Sequence, residues 1–334
     1  MLRVISELRE RAKDNRRRIC LPEGEDERTL QASHYIARER LADIILLGRK
    51  DKIASICKAK GLALGDTEIM DPAVSDKLDA YTEGLYAIRK NKDMTKDDVK
   101  ALLLQKPVYF GAMLVREKKA DGFVAGAVHT TRDVARSALW CVGINPEVKT
   151  MSSSFIMVLQ DESFGEGGVL IFADCGVVPE PSPRQLANIA ASAARLMQNI
   201  FNAVPRVAVL SFSTKGSGRT EATENLVKAV EITKEKYPGL LIDGELQADA
   251  ALVPDIAKRK APDSLIGGRA NVLIFPNLES GNIAYKLTER LAKARALGPL
   301  LHGVMAPCSD LSRGCSSDDI TDIVCVTSLR CAHA

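Results

Sequence analysis

The sequence predicts an α/β fold with two domains built on largely parallel sheets. Short runs rich in Val, Ile and Leu recur along the chain, too uniformly apolar for strands with one wet face. Stretches with helical spacing of apolar residues separate them, the alternation expected of a parallel sheet covered on both faces. At 334 residues the chain is also long enough for two domains, each with its own core.

Taken in order, the N-terminus is helix-like, and the basic run Arg16-Arg17-Arg18 reads as a solvated helix end rather than a binding tail. Ile44–Gly48 is a buried strand. Asp93–Lys100 is charged and reads as the start of a helix. Gly122–Gly126 is another strand, followed by a helix that carries Arg136. Gly165-Glu166-Gly167-Gly168 is a hairpin turn ahead of the strand Gly168–Phe172. From a Ser-Pro start, Ser182–Asn199 forms a helix with apolar positions at 186, 189, 190, 193 and 196–197. Val207–Ser211 is the next strand, and Lys215-Gly216-Ser217-Gly218-Arg219 lies where an anion-binding βα turn would lie. That loop lacks both the dinucleotide fingerprint and the P-loop ending. Thr223–Lys236 repeats the helical stripe, Val272–Phe275 is a buried strand, and Ile320–Val326 is the body of a last helix. Gly143–Pro146 and Gly298-Pro299 are the expected crossings between domains. They divide the chain into 1–145 plus 300–334, a discontinuous first domain, and 146–299, the second.

Composition excludes several functions. The 46 Lys and Arg against 43 Asp and Glu leave +3, and aromatics are 4% of residues, so there is little to bind or stack on nucleic acid. No apolar stretch reaches membrane-spanning length, and Met1–Arg11 lacks a signal-peptide core. A cytoplasmic protein with no membrane partner is expected. The eight cysteines form no Cys-x-x-Cys, and no histidine lies at metal-finger spacing, so reduced thiols and no metal site are expected. Cys315 is disfavoured as a nucleophile because no histidine accompanies it locally.

Chemistry concentrates in Cys308–Ile320, where a hydroxyl (Ser312), a guanidinium (Arg313) and a carboxylate (Asp319) fall close together. Gly314 permits a tight turn. Ser316 with Asp319 fits the Ser-x-x-acid helix start. On the residues alone, Asp319 reads first as a cap and Ser312 as a turn residue. The trio also suits a reaction that needs a hydrogen-bonding hydroxyl, an anion binder and a base.

The stretch Asp310-Leu311-Ser312-Arg313-Gly314 resembles the C-terminal signature of the phosphate acetyltransferases, or phosphotransacetylases. Further matches run in family order: Asp121–Thr131 followed by Arg136, Phe172–Gly176, Leu210–Thr214, Ile242–Ala250, and Ile274–Leu278 with Ser280-Gly281-Asn282 and Tyr285-Lys286. Chain length suits the family's short, stand-alone form. The resemblance implies an isocitrate/isopropylmalate dehydrogenase-like fold whose first domain is completed by the C-terminal segment, with the active-site cleft between domains. It implies reversible acetyl transfer between coenzyme A and phosphate (acetyl-CoA + phosphate = acetyl phosphate + CoA), directly in a ternary complex. Asp319 would be the base for the thiol, Ser312 would hydrogen-bond the sulfur, and Arg313 would bind the acyl phosphate. Arg89, Arg136 and Arg290 match arginines implicated in binding coenzyme A, with His129 and Thr130 as further substrate-binding candidates. Coenzyme A is then a substrate, no cofactor is permanently bound, and a homodimer is expected. Alternatives are a phosphate butyryltransferase or other short-chain acyl relative, a non-catalytic acyl-CoA-sensing module, and a dinucleotide-dependent dehydrogenase.

Overall fold

The computed structural model describes residues 3–89 and 94–333. By packing, the chain divides into two compact units, Arg3–Asn145 with Val304–Ala334, and Pro146–Gly303. Residues 300–302, placed with the first domain on sequence grounds, here end the last strand of the second unit; that unit runs to Gly303.

The first unit opens with α1 (Arg3–Asp14), β1 (Arg18–Leu21), α2 (Glu27–Glu39), β2 (Asp43–Leu47), α3 (Lys50–Lys60) and β3 (Glu68–Met70). It continues through α4 (Leu78–Arg89), α5 (Lys96–Gln105), α6 (Pro107–Arg116), β4 (Gly122–Ala125) and α7 (Thr131–Ser137), ending in a π-helical turn at Ala138–Val142. The second unit holds β5 (Ser152–Val158), β6 (Val169–Ala173), α8 (Pro183–Phe201), β7 (Arg206–Leu210), α9 (Glu221–Lys236) and β8 (Leu241–Leu246). There follow α10 (Ala248–Leu252), α11 (Pro254–Lys260), β9 (Val272–Ile274), α12 (Leu278–Leu291) and β10 (Arg295–His302). The chain then returns to the first unit for β11 (Cys308–Asp310) and α13 (Ser317–Cys331).

In the first unit the strands run in the order β3-β2-β1-β4-β11 and every pair is parallel. The strands β1, β2 and β4 are almost wholly buried, which is why their sequences are continuous apolar runs. Closing the sheet is α13, packed on α1, α2 and β4. Its Asp322 carboxylate receives the buried Arg9 guanidinium of α1 at 2.7 Å. The basic run corrects the sequence reading, since Arg18 begins β1 rather than ending a helix. Arg16 pairs with Asp43 and Arg18 with Glu68, tying the sheet's entrance together. Of the expected helix start at Asp93–Lys100, residue 93 lies outside the described residues; Thr95 and Asp98 form a capping box on α5.

In the second unit β6, β9, β7 and β8 are parallel neighbours, while β5 joins β10 and β6 in antiparallel pairs. The glycine-rich turn at 165–168 does connect a hairpin, from β5 to β6, with Gly165, Gly167 and Gly168 at positive φ. The α8 stripe is buried as its spacing predicts, and Ser182 with Gln185 caps it. The α/β class with largely parallel sheets is therefore the observed one. No helix among the described residues is long and apolar enough to cross a membrane.

Candidate active site

The carboxyl end of β11 runs directly into the loop that carries the candidate catalytic residues. Ser312 and Arg313 are exposed, and the Ser312 hydroxyl accepts the Gly314 N–H at 3.3 Å. The Cys315 N–H closes the turn onto the Ser312 carbonyl at 2.9 Å. Asp319 then enters as the third residue of α13. Its Oδ2 accepts the Ser316 N–H at 2.9 Å and the Ser316 hydroxyl at 2.8 Å, while its own N–H donates to Ser316 Oγ at 3.1 Å. The capping box read from sequence is thus present. Capping does not exclude base chemistry, because a carboxylate offers about four lone-pair sites.

Sequence reasoning passed over Arg28 and Asp26, which hold this loop, and Glu23, which holds the neighbouring turn after β4. Arg28, in the first turn of α2, donates to the Arg313 carbonyl at 2.7 Å, the Cys315 carbonyl at 3.1 Å and the Ala127 carbonyl at 2.8 Å. Asp26 fixes the same guanidinium at 3.1 and 3.0 Å. A planar fork suits several acceptors at once. Glu23, just beyond β1, is buried and accepts the N–H groups of Gly126, Ala127, Val128 and His129 at 2.7–3.1 Å. It also bonds His129 Nδ1 at 2.8 Å. Burial alone would raise its pKa, but the His129 side chain and these N–H donors win and hold it below the ordinary range. The turn after β4 is therefore an anion nest filled by the protein's own carboxylate. The acidic run around Pro22-Glu23-Gly24-Glu25-Asp26 was the available signal, obscured because Arg16-Arg17-Arg18 reads as a helix end and no strand is assigned ahead of the acids.

Two of the three candidate arginines meet on one ring. Arg89, at the end of α4, sits 3.8 Å from the centroid of Trp140, and Arg136 of α7 sits 5.3 Å from it. Arg89 Nε is buried without a hydrogen-bond partner. Trp140, the chain's single tryptophan, lies in the π-helical turn and had drawn no notice as a sequence feature. The face of an aromatic ring attracts cations and can hold guanidinium groups ready for an anion. The third arginine, Arg290, belongs to the second unit and is 80% exposed; Glu289 Oε2 lies 3.8 Å away, a surface contact of little worth. His129 turns its ring to Glu23. Thr130 caps α7, accepting the Asp133 N–H at 3.2 Å and donating to its carboxylate at 3.0 Å.

Beside His129 a cavity of about 660 Å³ opens beyond the carboxyl ends of β1 and β2, lined among others by Pro22, Gly24, Gly48, Lys52 and Gln105. Parallel sheets place ligands at this end. The Lys215–Arg219 loop is built differently from an anion site. Gly216 N–H donates to Glu245 at 2.7 Å, Gly218 N–H to Ser213 at 2.9 Å, and Lys215 pairs with Asp243. Its donors face internal acceptors. All eight cysteines are free thiols, and burial pushes Cys315 up to about 11, so it is a protonated thiol at neutral pH.

A parallel α/β scaffold thus presents a hydroxyl, an arginine and a carboxylate on one loop. Comparison with known proteins identifies the family. Residues 3–328 match the phosphate acetyl/butaryl transferase family, and the chain belongs to that family. It is 47% identical to the phosphate acetyltransferase of Thermoanaerobacterium thermosaccharolyticum over 327 residues, covering 98% of this chain and 99% of the relative. It is 44% identical to that of Clostridium acetobutylicum, covering 98% of each. A solved phosphotransacetylase from Streptococcus pyogenes superposes with a TM-score of 0.92 at 37% identity over 100% of both chains.

Proposed function

We propose that the chain transfers acetyl reversibly between coenzyme A and inorganic phosphate, directly in a ternary complex at the Ser312–Arg313–Asp319 loop. It is an acyltransferase, with coenzyme A, acetyl-CoA, phosphate and acetyl phosphate as substrates. The observation that carries the site reading is the loop itself. Its backbone is pinned by Arg28 while the side chains of Ser312 and Arg313 stay exposed.

In the acetyl-CoA-forming direction, Asp319 removes the thiol proton of coenzyme A, whose pKa is about 8.5 by analogy with cysteine. Ser312 donates a hydrogen bond to the resulting thiolate. The sulfur attacks the carbonyl carbon of acetyl phosphate, a C–S bond forms, and the C–O bond to phosphate breaks as phosphate leaves. Arg313 binds the phosphoryl oxygens as a fork and offsets charge that develops on the carbonyl oxygen. In reverse, phosphate is already an anion and needs no separate base. Arg89 and Arg136 meet the phosphates of coenzyme A from the Trp140 ring, with His129 and Thr130 lining the approach; Arg290 is carried as a coenzyme A candidate by the family resemblance alone. Nothing in this chemistry calls for a redox group or a permanently bound cofactor. A homodimer is supported by the exposed stripe Ile283, Leu287 and Leu291 on α12, and a cytoplasmic setting by the free thiols.

The direct test is thiol release from acetyl-CoA on adding phosphate, with arsenate as the alternative acceptor. Acceptor-dependent release is expected. Coenzyme A binding without release would instead favour the sensing module.

A further inference from the structure

Asp310 is both the last residue of β11 and the first of the signature loop. It is fully buried, and no well-formed hydrogen bond reaches either carboxyl oxygen; only the Thr131 hydroxyl and the Leu311 N–H act on it, more weakly than burial. Glu23, also buried, is treated in the opposite way, surrounded by donors. The two acids flank Gly126. Glu23 accepts its N–H, while a Cβ at this position would stand 2.3 Å from Asp310 Oδ1. With φ at +122°, Gly126 excludes a side chain on conformational grounds as well. A lone buried carboxylate is far costlier than the neutral acid, and a second charge beside Glu23 is costlier still.

We propose that Asp310 works as a neutral carboxylic acid and is a positioning residue. Its uncharged form lets the Ser312–Arg313 loop seat against Gly126 while Glu23 keeps the negative charge. The idea rests on the reading that this loop carries acetyl transfer. Burial lifts the carboxyl to about 7; Thr131 and the Leu311 N–H pull the other way and Glu23 adds to the rise. Other charges around it are engaged elsewhere. On α7, Asp133 pairs with Lys106, and Arg136 lies over Trp140. On α13, Asp318 and Asp322 meet Arg9, Asp319 meets Ser316, and Arg330 donates to the Cys308 carbonyl. His129 reaches the pair only through Glu23, and β4 carries no charged residue.

A carboxyl whose folded pKa is raised contributes stability below its ordinary range and loses it as pH climbs to about 7. The test compares the wild-type protein with Asp310→Asn, a neutral isostere, across that pH. The ratio of kcat, variant over wild type, cancels ionisations that the two proteins share. It should climb as pH passes about 7 and approach about tenfold per pH unit once the wild-type acid is mostly ionised. The melting temperature of the wild type should fall relative to the variant from the ordinary carboxyl range up to about pH 7 and level off above it. A flat ratio with parallel melting curves overturns the proposal. If Asp310→Asn does not fold, Thr131→Val still reads the proton: losing the hydroxyl should move the wild-type break to higher pH, and an unmoved break counts against it. Should Arg313→Lys keep full turnover while the melting curves diverge as expected, the site reading fails and the neutral acid stands.

Discussion

Arg28 donates an N–H to the carbonyl of Arg313 at 2.7 Å. One arginine thereby fixes the main chain of another, whose own guanidinium stays exposed for an anion. Under the proposed mechanism, positioning and binding fall to different side chains, which is what a site needs if its donors are to be set before substrate arrives. Arg28→Lys keeps the charge but cannot reach all three carbonyls. Its kcat should fall by about tenfold to a hundredfold, the scale of a small misplacement. A chemical-denaturation midpoint should show only a modest loss of stability. Unchanged kcat would make the clamp structural.

Arg313→Lys tests the fork itself. A point charge replaces bidentate geometry, so turnover should collapse by about 10²–10³ while the fold persists. Steady-state rates beside a far-ultraviolet circular dichroism spectrum check both halves.

The Arg89–Trp140–Arg136 stack supplies its own probe. Because Trp140 is the chain's one tryptophan, coenzyme A that engages the two arginines should change its fluorescence. Arg89→Ala and Arg136→Ala should raise the KM for coenzyme A more than that for acetyl phosphate and blunt the optical signal. Equal shifts in both KM values would place these arginines away from coenzyme A.

Cys315 flanks the loop but is held protonated, its pKa pushed to about 11 by burial. The thiolate fraction at neutral pH is then about one in ten thousand. Cys315→Ser should keep most turnover, and iodoacetamide should label the residue slowly until the pH nears that value. Loss of acetyl transfer in a well-folded serine variant would restore the covalent route.

How much of this was legible depended on sequence separation. The Ser316–Asp319 box, the Ser182–Gln185 cap and the apolar strands were readable because their physics is local or periodic. Glu23 reaches N–H groups 103 to 106 residues away, and Arg28 reaches carbonyls 285 and 287 residues away. No spacing rule encodes such meetings; they exist only once β1, β4 and β11 lie side by side. Trp140 was missed in part for the same reason: Arg136 stands only four residues before it, but Arg89 arrives from α4. The antiparallel β5 and β10 also escaped. The first begins with Ser152-Ser153-Ser154, and the second is interrupted at Gly298-Pro299, where its register against β5 shifts. The Lys215–Arg219 loop had the composition of an anion turn, yet Glu245 and Asp243, distant in sequence, occupy its donors.

The central claim is that Asp319 is a base as well as a cap, and Asp319→Asn measured over a pH series tests it most directly. Asparagine is a short polar residue that suits the first helical turn, so thermal unfolding should move by no more than about a kcal/mol. Activity in the acetyl-CoA-forming direction should fall by roughly 10²–10⁴ at neutral pH. It should recover in part as pH rises toward the thiol pKa of about 8.5, where coenzyme A ionises unaided. Full turnover at neutral pH with a lowered melting temperature would leave Asp319 a cap and nothing more.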